Sequence, residues 1–207
     1  MSSSRRSGTA AAYPRAAALD SRSLSAQVEI RLAAPPDARA IARIYNAGIE
    51  ERQATFETRL RTPQEVVTWI EGPFPILVAD LEGVVVAFAR IGPYSERDVY
   101  AGIGEHAVYV DEAARGRRVG AKLLEELAVT ATHAGYHKLT SRIFTTNAAS
   151  IALHQAVGFT IVGVQRRHGR LDGEWRDCVL VERLLGAALD GLDDDEAGAG
   201  ADAQRVA

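Results

Sequence analysis

Val108-Tyr109-Val110-Asp111-Glu112-Ala113-Ala114-Arg115-Gly116-Arg117-Arg118-Val119-Gly120-Ala121-Lys122-Leu123-Leu124 decides how the chain is read. A strand-forming run passes into a basic, glycine-containing turn. The turn opens an amphipathic helix, 119–134, with Leu123, Leu124, Leu127 and Ala128 at helical spacing. The first turn of a helix has N–H groups without intrahelical partners and the positive end of the dipole, so this segment is a ready site for a diphosphate. Gly116 and Gly120 let an anion approach the backbone, and Arg115, Arg117, Arg118 and Lys122 add positive charge. The competing reading is a solvated basic helix start. Cations there oppose the helix dipole, and an anion relieves that conflict. The glycine patterns of dinucleotide-binding and P-loop folds are absent.

Outward from this segment, strand and helix patterns alternate. Strands are predicted at 28–32, 76–79, 84–91, 102–110, 139–144, 160–164 and 179–182, with Glu82-Gly83 as a hairpin turn. Asp37 is placed to cap a helix carrying Ile41, Ile44, Tyr45 and Ile49, Pro63 opens a second helix over 64–70, and a further helix covers 148–157. The expected fold class is α/β, a mixed sheet with helices on its faces.

The 207 residues contain 47% hydrophobic side chains, 24 Lys+Arg and 27 Asp+Glu. That balance fits one soluble domain and argues against general nucleic-acid binding. No apolar run is long enough for a membrane-spanning helix. One cysteine, Cys178, excludes an internal disulfide and a four-thiolate metal site, and fits a cytoplasmic location. Residues 1–27, rich in Ser, Ala and Arg, read as a disordered extension, with an organelle transit peptide as the alternative. Residues 186–207, with Asp193, Asp194, Asp195 and Glu196, read as a disordered acidic tail, which leaves 28–185 as the domain. His133 and His137 are four apart, but Gly135 lies between them and no third ligand is evident, so no metal site is expected.

The Arg-Gly-x-x-Val-Gly-x-x-Leu-Leu pattern after a strand resembles the acetyl-CoA loop of the GCN5-related N-acetyltransferases (GNAT). Thr146-Asn147-Ala148-Ala149-Ser150-Ile151-Ala152-Leu153-His154-Gln155-Ala156-Val157-Gly158-Phe159 is similar to that superfamily's second signature. Ala54-Thr55-Phe56-Glu57-Thr58-Arg59, Glu105 ahead of Val-Tyr-Val, and Leu153-His154 resemble phosphinothricin-type acetyltransferases. The segments 100–105 and 168–177 resemble the arsinothricin-resistance branch. The resemblance implies a GNAT fold, mostly antiparallel, acetyl-CoA as co-substrate, a homodimer, and direct acetyl transfer to the α-amine of a small amino-acid analogue. Close rivals are an acetyltransferase for methionine sulfoximine, methionine sulfone or another amino acid, and a non-catalytic acetyl-CoA sensor.

The resemblance also implies site residues. Val108, Tyr109, Val110, Arg115, Gly116, Arg117, Arg118, Val119, Gly120, Ala121 and Asn147 would hold acetyl-CoA, and Asn147 can cap the following helix as well. Glu105 matches the base that deprotonates the amine, where desolvation would raise a carboxyl toward neutrality; the alternative is an outward-facing Glu. Backbone N–H groups of Ala107 and Val108 are candidates to hold the acyl oxyanion. His154 is an acid, a substrate contact or a core histidine. Phe56 and Thr58 would wall the amine pocket, and Arg97 with Tyr100 would clamp an acidic group. Trp175 reads as a packing residue near a dimer interface, and Cys178 as a packed strand residue. Many relatives carry Gly where Arg118 stands, so a left-handed backbone there would cost about 1–2 kcal/mol.

Overall fold

The computed structural model describes residues 28–189. Expectations for 1–27 and 190–207 lie outside the described residues, and residues 186–189 form a short 3-10 turn. The element order is β1 (Val28–Leu32), α1 (Ala38–Glu50), α2 (Pro63–Ile70), β2 (Ile76–Leu81), β3 (Val84–Pro93), β4 (Ile103–Val110), α3 (Val119–His133), β5 (Lys138–Phe144), α4 (Ala148–Ala156), β6 (Thr160–Leu171) and β7 (Glu174–Leu184). One seven-stranded sheet runs β1-β2-β3-β4-β5-β7-β6, and only β4 and β5 are parallel.

Each face of the sheet carries its own apolar layer. Leu123, Leu124 and Leu127 of α3 pack with Leu139, Val181 and Ala89 on one face. Ile41, Ile44 and Ile49 of α1 and Val66 of α2 pack with Val78, Phe88 and Tyr109 on the other. Full burial of one such aliphatic side chain stabilises the fold by about 1.5–3 kcal/mol.

Turn and cap chemistry set the element ends. Glu82 and Gly83 both have positive φ, 53° and 84°, as a two-residue hairpin requires. Thr62 accepts from the Glu65 N–H while the Glu65 carboxylate accepts from the Thr62 N–H, closing a capping box ahead of Pro63. Asp37 departs from its expected role: its carboxylate makes no cap bond to α1. It accepts from Arg31 at 2.7 and 2.9 Å and from the Ala34 N–H at 2.8 Å, tying β1 to the start of α1. The Arg31 guanidinium holds the Asp37 carboxyl below its ordinary range. β6 and β7 run several residues past the predicted spans and meet in a turn at Asp172 and Gly173.

The β4–β5 junction positions the site. These strands pair over only three residues, Ile103 to Lys138 through Glu105 to Thr140. Beyond Glu105 they part. β4 stays paired with β3 to Val110, and β5 with β7 to Phe144. A notch therefore opens in the middle of the sheet.

Candidate active site

A cleft of about 1420 Å³ passes through this notch. Tyr45 and Trp69 line it from the α1–α2 face, and Gly120, Leu153 and His154 from the α3–α4 face. Two molecules entering from opposite faces of the sheet can meet there.

Alternation along β4 fixes which groups face the notch. The Asp111 N–H bonds back to Val86 on β3, so the N–H groups of Tyr109 and Ala107 share that direction, and those of Val108 and Val110 point toward β5. Of the two oxyanion candidates, Val108 faces the opening, whereas the Ala107 N–H belongs to the β3 ladder. The Tyr109 side chain lies on the face away from α3, stacked on Phe88 with ring centroids 5.2 Å apart. Burial and the neighbouring Tyr45 push its hydroxyl pKa up.

At the start of α3, Lys122 is the first residue whose N–H bonds within the helix, to the Arg118 carbonyl at 3.1 Å. The N–H groups of Val119, Gly120 and Ala121 thus point out of the first turn, and all three residues line the cleft. Gly116 has φ 75° and open space where a Cβ would stand. Gly120 serves packing: a Cβ would lie 3.1 Å from Leu153 and 3.3 Å from Val110. Arg118 is left-handed, with φ 59° and ψ 11°, so the strain foreseen for a non-glycine residue is present. Arg118 lines the cleft; Arg117 is exposed and does not. Arg115 is engaged at both Glu51 carboxylate oxygens, 2.7 and 2.9 Å away. Asn147 caps α4 by accepting from the Ser150 N–H, and it also lines the cleft.

Glu105 lines the cleft where the strands part, but its setting differs from the buried carboxyl expected. Its side chain is 39% exposed, and Arg142 of β5 donates to it at 2.7 Å. Arg142 also donates to Gln165 at 3.2 Å, so the guanidinium fixes the carboxylate's direction. Its position therefore depends on a cation across the notch, not on desolvation.

His154 is 2% exposed and forms a buried pair with His106, their Nε2 atoms 3.0 Å apart. His154 Nδ1 lies 2.7 Å from the Ser150 carbonyl, which can only accept, so Nδ1 carries the proton. His154 Nε2 then accepts from His106 Nε2–H, and His106 Nδ1 is left without a hydrogen-bond partner. Burial, followed by the neighbouring His154, pushes His106 down to about 3 from 6.5. Burial also lowers His154. The pair is neutral near pH 7, so His154 is a neutral hydrogen-bonding group there and not an imidazolium acid.

On the segment between α1 and α2, Phe56 and Thr58 line the cleft. Phe56 packs edge-on against Phe144 at 4.7 Å and is seated by Gly169, whose Cβ would lie 2.7 Å from the ring. Arg97 and Tyr100 are exposed and do not line it; the Arg97 guanidinium lies over the Tyr100 ring at 5.4 Å. Trp175 is half-exposed beneath Arg170. Sequence reasoning missed His106, Arg142 and Arg90. Arg90 was legible as a lone cation inside the apolar run of β3, and His106 and Arg142 as polar residues on central strands. Among the described residues no group of three or more ligating side chains gathers that could hold a metal, and no helix is long and apolar enough to cross a membrane.

The outward N–H groups of α3, the open space beside Gly116 and the parted strands suit a long ligand with a diphosphate at one end and an acyl group at the other. Comparison with known proteins agrees. The Acetyltransferase (GNAT) domain family matches residues 30–180. The chain is 33% identical to the L-methionine sulfoximine/L-methionine sulfone acetyltransferase of Salmonella typhimurium, over 75% of this chain and 94% of that one. It is 35% identical to the phosphinothricin N-acetyltransferase of Streptomyces viridochromogenes, over 75% and 87%. The Sinorhizobium meliloti phosphinothricin acetyltransferase in complex with acetyl-CoA superposes with TM-score 0.72 at 30% identity, over 77% of this chain and 89% of that one. Yet another solved structure, Salmonella typhimurium yncA with its cofactor acetyl-CoA, gives TM-score 0.74 at 32% identity, over 77% and 95%. A fold, a helix start and a notch of this kind, with these relatives, place the chain in the GNAT family as an acetyl-CoA-dependent N-acetyltransferase.

Proposed function

We propose that the enzyme acetylates the α-amine of a small amino-acid analogue of the phosphinothricin, arsinothricin or methionine sulfoximine type, and so confers resistance to it. The observation that carries this reading is the Glu105 carboxylate, held by Arg142 where the amine side of the cleft meets the notch. The N–H groups of residues 119–121, with Arg118 and Asn147, would hold acetyl-CoA, which supplies a thioester carbonyl as electrophile. Glu105 accepts the proton that the substrate ammonium must lose, directly or through one water. The Val108 N–H is aimed where negative charge develops on oxygen. Both ring nitrogens of His154 are engaged, by the Ser150 carbonyl and by His106, so its role is to shape the cleft wall beside the acyl donor without exchanging a proton.

Transfer is direct, within a ternary complex. Cys178 is fully buried and its thiol pKa is pushed up by burial, so it is a poor acyl carrier. Intersecting initial-rate lines support this order, and parallel lines refute it. Thiol release from acetyl-CoA across phosphinothricin, arsinothricin, methionine sulfoximine and methionine sulfone tests the substrate class; no turnover with any of them overturns it. The Salmonella relative's name favours the sulfoximine arm as the second reading. The family resemblance and the exposed Ile161, Val162 and Val164 on edge strand β6 support a homodimer, and a monomer in sedimentation overturns it. A cytoplasmic location fits the single buried cysteine.

A further inference from the structure

We propose that Arg90 anchors the α-carboxylate of the amine substrate and thereby makes the enzyme select amino acids over simple amines. This rests on the reading of Glu105 as the amine's proton acceptor.

Six arginines line the cleft: 59, 61, 90, 115, 118 and 142. Arg59, Arg61, Arg115 and Arg142 each face a carboxylate at 2.5–2.7 Å. Among the described residues Arg90 and Arg118 have no such partner. Arg118 belongs to the diphosphate end at α3. Arg90 is the remaining unpaired cation, half-buried on the amine side, and a desolvated guanidinium there calls for an anion.

Its register places it beside Glu105. Phe88 faces Tyr109, Arg90 faces Ala107 and Gly92 faces Glu105 across the antiparallel β3–β4 pair. All six residues share one face of the sheet, which changes from aromatic to cationic to anionic toward the notch. Arg90 and Glu105 are diagonal neighbours, about 7–8 Å apart at the backbone. The Arg90 guanidinium is packed against Trp69, 4.8 Å from the ring centroid. Its Nη2 also reaches over Gly92, 3.5 Å from where a Cβ there would stand, and the Glu105 carbonyl lies 3.8 Å from the same point. Glycine at 92 keeps a side chain from standing against the Arg90 guanidinium on this wall of the cleft. An α-amino acid carries its ammonium and carboxylate on one carbon. Bound between the two side chains, it would make one charge-assisted hydrogen bond of about 2.8 Å at each end. The substrate's zwitterion then completes an alternating row: guanidinium, carboxylate, ammonium, carboxylate.

The test compares kcat/KM for methionine sulfone and for its carboxamide, which keeps the amine and loses the charge, in wild type, Arg90→Met and Arg90→Lys. The wild-type enzyme is expected to prefer the acid. Arg90→Met lowers the acid-to-amide ratio by about 10–100-fold, mostly through KM for the acid, while the carboxamide is still turned over. That residual turnover shows an intact fold. Arg90→Lys retains part of the ratio. An unchanged ratio in Arg90→Met, with wild-type turnover of the acid, overturns this assignment alone. Wild-type enzyme that acetylates no α-amino acid overturns the reading of the site, and this assignment with it.

Discussion

Arg118→Gly is expected to raise stability and weaken acetyl-CoA binding at the same time. Arg118 sits at φ 59° and ψ 11° immediately before α3. A residue with a Cβ loses about 1–2 kcal/mol in that conformation. Glycine removes the strain but has a looser unfolded chain, which takes back about 0.4–1 kcal/mol. The net gain is about 0.5–1 kcal/mol, or about 1–4 °C in Tm for a domain of this size. The same change deletes the one cleft guanidinium near the α3 N-terminus that has no carboxylate partner among the described residues. An exposed charge-assisted contact to a phosphate contributes about 1–2 kcal/mol, so Kd for CoA should rise about 5–30-fold. Isothermal calorimetry and thermal unfolding measure the two effects. Arg118→Ala separates them: it loses the affinity and keeps the strain, so its Tm does not rise. The affinity loss should shrink in high salt. A Tm that falls in Arg118→Gly, or a Kd unchanged in both variants, refutes the reasoning.

Glu105→Gln should lower kcat about 10²–10⁴-fold with little change in acetyl-CoA affinity; wild-type kcat removes Glu105 as the base. Arg142→Leu frees the Glu105 carboxylate and should reduce kcat by about tenfold with partial recovery in Arg142→Lys, whereas equal activity in both would make the pair incidental. The buried His106 has its pKa depressed from 6.5 to about 3, so the unfolded chain binds its proton first and stability declines as pH falls from about 6.5 toward 3. Imidazole nitrogen NMR should show both rings neutral at pH 6, with the proton of His154 on Nδ1; a charged ring at that pH contradicts the buried pair. Asp37→Asn should lower the urea midpoint at pH 7. Because the folded-state pKa of Asp37 lies below its ordinary value of 3.8, the difference from wild type should close as pH falls through and below that value; a difference independent of pH refutes the Arg31–Asp37 contribution.

The start of α3 was legible because its signal is local. A strand, a basic turn and an amphipathic helix occupy consecutive residues, and each follows from side-chain spacing. The β6–β7 arms were underestimated for the opposite reason. Residues 165–170 are mostly exposed, with a register shift between Gln165 and Gly169 and Arg167 at φ 50°, so no buried face imprints a period of two. Glu105 could be picked out by resemblance, but its environment could not, because Arg142 is 37 positions away and meets it only through the parallel register. The His106–His154 pair is likewise a contact across 48 positions. Asp37 illustrates competition: a good helix cap by type, it is drawn instead to the Arg31 guanidinium on the neighbouring strand.

The parted strands have a consequence for how such an enzyme can change. Each bank of the notch is held by its outer neighbour, β4 by seven residue pairs with β3 and β5 by seven with β7, while only three pairs join the banks to each other. Arg90, the proposed carboxylate anchor, stands on the β3–β4 bank, and Arg142, the partner of Glu105, on the other. A side chain on either shore can be exchanged without unzipping the opposite ladder, so new substrates can be accommodated on one side while the grip on the shared acetyl donor at α3 is left as it was.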